Sequence, residues 1–150
     1  MVELVEKFAI SPHRCRMLDG LLRYRAELRR VGLCDGFQWI DGSFVETLPR
    51  DPNDVDVVTL SSLPTASDPA DDYLFDPREA KRHFSCDAYF IDLKTSPLQA
   101  INDAVYWYGL FSHQRGSERW KGLVQVDLAP ADGDAAARER LREILEEGAS

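Results

Sequence analysis

Apolar residues recur at three- and four-residue steps from Met17 through Leu18, Leu21, Leu22 and Leu28 to Val31, the spacing of one face of an α-helix. Ser11-Pro12 opens the stretch with a capping hydroxyl and a proline in the first turn, where the missing N–H costs nothing, and Gly32 closes it. The pattern predicts a helix over about 12 to 31 lying against a sheet, with Arg23, Arg25, Arg29 and Arg30 largely off the apolar stripe.

Period-two and β-branched runs mark the strands. Phe37-Gln38-Trp39-Ile40 reads as a short strand ending at Gly42, and Phe44, Val45 and Leu48 form the inner side of a short helix that Pro49 and the polar run after it would end. Val55-Asp56-Val57-Val58-Thr59-Leu60 is the clearest strand, and residues 88 to 93 and 122 to 128 read as two more. The Ser-, Pro- and Asp-rich stretch 61 to 70 is a loop, and a helical segment follows around 69 to 83. Ser96-Pro97 repeats the capping signal before Leu98, Ile101, Val105, Tyr108, Leu110 and Phe111, and residues 132 to 147 have helical composition. Helix and strand therefore alternate, which predicts an α/β or α+β layout with three or four strands.

Composition narrows the partners more than the fold. A chain of 150 residues with 44% hydrophobic residues has room for one core, so a single domain over 1–150 is expected. The net charge of -8 argues against a surface built to grip bulk duplex DNA, although a local basic patch suffices for a nucleotide or a nucleic-acid end. Cys15, Cys34 and Cys86 show no paired spacing and read as reduced thiols. No apolar run approaches the roughly eighteen residues of a membrane span, and the N-terminus lacks the apolar core of a signal peptide, so a cytoplasmic protein without a membrane partner is expected.

The chemistry sits in one stretch. Alternation puts Asp54 and Asp56 on one face of a strand while Val55 and Val57 point into the core. Two such charges repel unless a cation lies between them, and magnesium is the usual ion where phosphates supply further ligands. Upstream, Gly42 permits a tight turn and Ser43 offers a hydroxyl and an N–H, together able to hold the β and γ phosphates of a triphosphate. The plainer alternative places Asn53 and Asp54 in a turn and leaves Asp56 solvated at a sheet edge. A third carboxylate would complete a two-metal site. Asp87 and Asp92 are both candidates on a later strand; the pattern does not separate them, and preference goes to Asp87 at the strand's beginning. Asp41 and Glu46 flank the turn.

The segment from Gly42-Ser43 to Asp54-Val55-Asp56, with Asp87 or Asp92 beyond it, resembles the minimal nucleotidyltransferase domain of the DNA polymerase beta superfamily. More loosely, WIDGSFVE, PNDVDVVT, CDAYFIDL, YWYGLFSHQR and KGLVQVDL resemble the blocks of a small bacterial nucleotidyltransferase-like family. The resemblance implies a mixed β-sheet of three to five strands flanked by helices, Ser43 on the triphosphate, magnesium on Asp54, Asp56 and a third acid, and that acid as base for the acceptor hydroxyl. Members of this length are associated with toxin-antitoxin or phage-defence settings.

Arg115 and Lys121 are candidate contacts for the triphosphate or an acceptor phosphate, or else plain helix-end and loop charges. His113 in a last helical turn is explained by free carbonyls, and His13 and His83 have no partners at metal-ligand spacing. The leading expectation is magnesium-dependent transfer of a nucleotidyl group from an NTP to a hydroxyl on protein, RNA or a small molecule. The alternative is an inactive, antitoxin-like or partner-binding module of the same fold. A site shared within a homo-oligomer or with a partner protein fits either.

Overall fold

In a computed structural model, the described residues are 1–46, 51–65, 68–114, 117, 119–129 and 131–148. They form a mixed, open four-stranded sheet flanked by helices. The strands are β1 (Phe37–Asp41), β2 (Val55–Ser61), β3 (Cys86–Asp92) and β4 (Val124–Asp127), in the order β3-β2-β1-β4. β1 runs antiparallel to β2 and β4, and β2 runs parallel to β3. The parallel pair needs a crossover, supplied by a 3-10 segment, Pro69–Leu74, and the helix α3 (Pro77–Phe84). The helical stretch expected over 69 to 83 is thus broken in two. Pro77 and the Asp76 cap, which accepts from the Arg78 and Glu79 amides, start a second helix within it.

The long helix α2 (Pro12–Arg30) starts at Ser11, whose hydroxyl accepts from the Arg14 amide, and ends before Gly32, which has φ +94°. A short N-terminal helix, α1 (Val2–Phe8), has no signal in the sequence, because no side chain caps it. Leu4, Val5 and Phe8 bury its inner face. With α5 (Asp132–Glu147), these helices cover one face of the sheet through Leu18, Leu21, Leu28, Ile40, Val55, Val57 and Leu141. α4 (Pro97–Phe111), capped by the Ser96 hydroxyl on the Gln99 amide, covers the other face over a smaller cluster of Val58, Leu60, Ile91 and Phe111.

Polar groups inside the larger layer are tied together. Arg25, 1% exposed, donates to Asp134, to Gln38 and to the Asp127 carbonyl at 2.8, 2.7 and 2.6 Å, and Arg29 approaches the same carboxylate at 2.8 Å. This fixes α5 to α2 and to the β1–β4 edge. Among the described residues no helix is long and apolar enough to cross a membrane.

Candidate functional site

The register sets the site. Asp41 pairs with Asp56 across β1 and β2, and Asp56 pairs with Asp87 across β2 and β3. Direct partners share a face and neighbouring strands lie about 4.8 Å apart, so three carboxylates stand in one row at the sheet's end, on the α4 side. The next row on that face is Trp39, Val58 and Tyr89, and the one after is Phe37, Leu60 and Ile91, so the acids lie at the edge of an apolar floor. Val55 and Val57 are fully buried on the opposite face, as the alternation requires. Asp54 precedes the strand and lines the same cleft as Asp56.

Asp54, Asp56 and Asp87 line one cleft of about 800 Å³ with Gly42, Ser43 and Lys121. Tyr106, Trp107 and Phe111 of α4 form its apolar wall, and Glu46, Tyr89 and His113 complete it. Asp92 lies at the other end of β3, where its Oδ1 accepts from the Leu63 and Lys94 amides at 3.2 and 2.9 Å and closes a turn. Arg115 lies outside the described residues, as does the end of the expected helix after Phe44, whose described part is a single 3-10 turn, Gly42–Phe44. His113 Nδ1 lies 3.3 Å from the Gly109 carbonyl at the end of α4.

Two cations hold the turn from behind. Arg14, 1% exposed, donates to the carbonyls of Phe44, Glu46 and Ser43 at 2.6, 2.8 and 3.4 Å, with its guanidinium carbon 5.3 Å from the Phe44 ring centre. Lys121 donates to the Gly42 carbonyl at 3.4 Å and pairs with Asp41 at 3.0 Å and Glu46 at 3.6 Å. Lys121 therefore sits in the cleft wall as an anchor of the turn. Burial pushes the Asp41 carboxyl above its ordinary range, against the opposing pull of the Gly42 N–H and of Lys121. Its Oδ1 is buried with no hydrogen-bond partner among the described residues.

A third cation faces the acids directly. Lys81 of α3 forms an ion pair with Asp54, and that bond raises the lysine's pKa, helped by the charges of Asp87 and Asp56. Tyr89, beside them, is raised by burial first and then by Asp87. Neither Arg14 nor Lys81 has a signal in the sequence, since each reaches its partners from a helix far away along the chain.

The acids offer hard oxygen donors, the chemistry magnesium prefers, and Gly42 leaves room for the Asp56 carboxylate. As they stand, no three His, Cys, Asp or Glu side chains among the described residues are gathered as a metal-binding group. Asp54 is engaged by Lys81 instead.

Residues 1–127 match a family described as of unknown function, DUF6932. The chain belongs to that family. The DUF6932 match runs from α1 to the end of β4, so every described residue of the cleft lies within it, and α5 follows it. No curated protein and no solved structure matches the chain.

Proposed function

We propose that the cleft transfers a nucleotidyl group from an NTP to an acceptor hydroxyl with the help of magnesium. The observation that carries this reading is the register that sets Asp56 beside Asp87, in a cleft that the Gly42–Ser43 turn also lines. Asp54, Asp56 and Asp87 would hold the ion, and the turn would take the triphosphate, with its carbonyls already occupied by Arg14 and Lys121. When bound, magnesium would neutralise the phosphates and favour the ionised acceptor. Asp87 would orient the acceptor hydroxyl and accept its proton as its oxygen bonds to the α phosphorus and pyrophosphate leaves. Tyr106 and Trp107 would exclude water from one side. The acceptor is then a hydroxyl on protein, RNA or a small molecule.

Purified protein incubated with Mg²⁺ and labelled ATP, CTP, GTP or UTP should transfer label to itself, to cell RNA or to a small molecule, and lose that transfer in Asp54→Ala and Asp56→Ala. Absence of both nucleotide binding and transfer with all four nucleotides would sink the reading.

A second reading, an inactive partner-binding module, is supported by the Lys81–Asp54 pair and by the outer side of α4. There Leu98, Ile101 and Val105 are more than half exposed, at 70, 59 and 67%. A helix apolar on both sides is usually covered.

A further inference from the structure

The chain's net charge is -8, yet its arginines are not spread evenly. Arg16, Arg23, Arg138 and Arg142 rim a groove of about 620 Å³ between α2 and α5, against a single lining carboxylate, Asp19. Arg23 is paired with Asp19 at 3.1 Å and Arg142 with Glu139 at 2.5 Å. Among the described residues neither Arg16 nor Arg138 is in an ion pair; Arg138 donates instead to the Leu22 carbonyl at 2.7 Å. Met17 and Leu141, both buried, give the groove an apolar floor.

The groove has two neighbours. At one end Asn53 lines both it and the carboxylate cleft. At the other, Arg23 and Arg138 also line an adjoining hollow, where Arg82 adds charge and Glu27 and Glu79 oppose it. Two arginines outside any ion pair among the described residues, Arg16 and Arg138, thus line a groove between α2 and α5 that meets the candidate site at Asn53.

We propose that this groove binds a single strand of nucleic acid through its phosphodiester backbone and directs the strand past Asn53 toward the carboxylates. Guanidinium groups suit phosphate oxygens because their planar fork donates two bonds at once. Repetition favours a polymer over one phosphate: Arg138 and Arg142 lie about 6 Å apart along their helix and Arg16 and Arg23 about 10 Å apart along theirs. The apolar floor suits the sugars and bases between phosphates. A duplex would have to meet the acidic remainder of the surface, which a single strand in a groove avoids. The link to the acids rests on the nucleotidyl-transfer reading and would make the strand its acceptor; binding to the groove does not depend on that reading.

The test is fluorescence anisotropy of a labelled oligouridylate of about 20 nucleotides over salt from about 50 to 200 mM, with the wild type, Arg16→Glu/Arg142→Glu and Asp54→Asn/Asp56→Asn. Both arginines are exposed and only the surface pair of Arg142 with Glu139 is given up, so the melting temperature should fall little. The arginine variant should bind at least tenfold more weakly, and its log Kd against log salt should flatten by about 1.4, the value for two lost single-strand phosphate contacts. The aspartate variant should bind the strand at least as well as the wild type. Unchanged strand affinity in the arginine variant, a wild type that binds no strand at about 50 mM salt, or a wild type that binds a phosphoserine peptide and no strand would each overturn the inference. A wild type that binds no labelled NTP but binds the strand through the arginines would remove the catalytic reading and leave the groove.

Discussion

The carboxylate of Asp56 stands where a side chain on Gly42 would be. A Cβ at residue 42 would lie 1.7 Å from Asp56 Oδ2 and 2.8 Å from its Cγ, and Gly42 has φ +76°, in the region L side chains rarely adopt. The glycine thus serves the turn and the acid at once: it allows the chain to bend after β1, and it leaves the space through which Asp56 faces the cleft.

Gly42→Ala should therefore act on two observables. The backbone term alone should lower stability by about 1–2 kcal/mol, read as a shifted urea midpoint. If the acids hold a divalent ion as proposed, displacement of the Asp56 carboxylate should also weaken Mn²⁺ binding beyond what an equally destabilising core change such as Leu21→Val produces. Equal effects of the two variants on Mn²⁺ would mean that the glycine matters only to the fold.

Arg14 supports the same turn from the α2 side, with three backbone carbonyls as acceptors of its buried guanidinium. Arg14→Met keeps the aliphatic volume and strands those carbonyls, so about 3 kcal/mol of stability should be lost. Urea denaturation followed by tryptophan fluorescence measures it. A loss under about 1 kcal/mol would show that water replaces the guanidinium there.

What was legible in the sequence was local. Alternation around Val55 and Val57 gave the face of Asp56, and serine-proline caps located α2 and α4. The choice between Asp87 and Asp92 was not legible, because both lie on β3 and only the pairing with β2 decides which one meets Asp56. Arg14 and Lys81 were hidden for a related reason: on their own helices they look like ordinary solvated cations, and their partners lie far off in sequence. α1 escaped because a seven-residue helix without a side-chain cap depends on packing against α2 and α5.

The Arg25–Asp134 pair is the tie most exposed to a single change. Asp134 is 3% exposed as a side chain and faces both Arg25 and Arg29, so Asp134→Ala leaves a buried cation without its counter-charge. Loss of about 3–5 kcal/mol is expected, read by thermal or urea unfolding. Asp134→Asn, which keeps a hydrogen-bond acceptor, should recover part of it.

Asp41 gives a pH dependence of defined sign. Its carboxyl is pushed up by burial, so the folded protein holds that proton more tightly than the unfolded chain. The resulting stabilisation is complete below the ordinary carboxylate pKa and is lost as pH rises through the folded value. The amide of Asp41→Asn does not titrate, which makes that variant the reference. Relative to it, the wild type should lose stability as pH rises above the ordinary carboxylate pKa of about 4, measured as the difference of urea midpoints at successive pH values. A difference that grows with pH would reverse the assignment and mean that Lys121 outweighs burial.

Lys81 separates the two functional readings, because it occupies the charge position that a divalent ion would need. Its side chain is 48% exposed and its partner Asp54 16%, so the ion pair adds little to stability, about 0.2–1 kcal/mol. If the acids are a metal site, Lys81→Met removes a competing cation, and Mn²⁺ should bind about two- to fivefold more tightly by titration calorimetry, with little change in melting temperature. If the lysine instead meets the triphosphate, Mn²⁺ affinity in the absence of nucleotide still rises while NTP affinity falls, since an ammonium that neutralises phosphate has been removed. A partner-binding module with a vestigial cleft gives neither result: wild type and variant both fail to bind Mn²⁺, and Lys81 is then the permanent counter-ion of an acid row that the fold retains without chemistry.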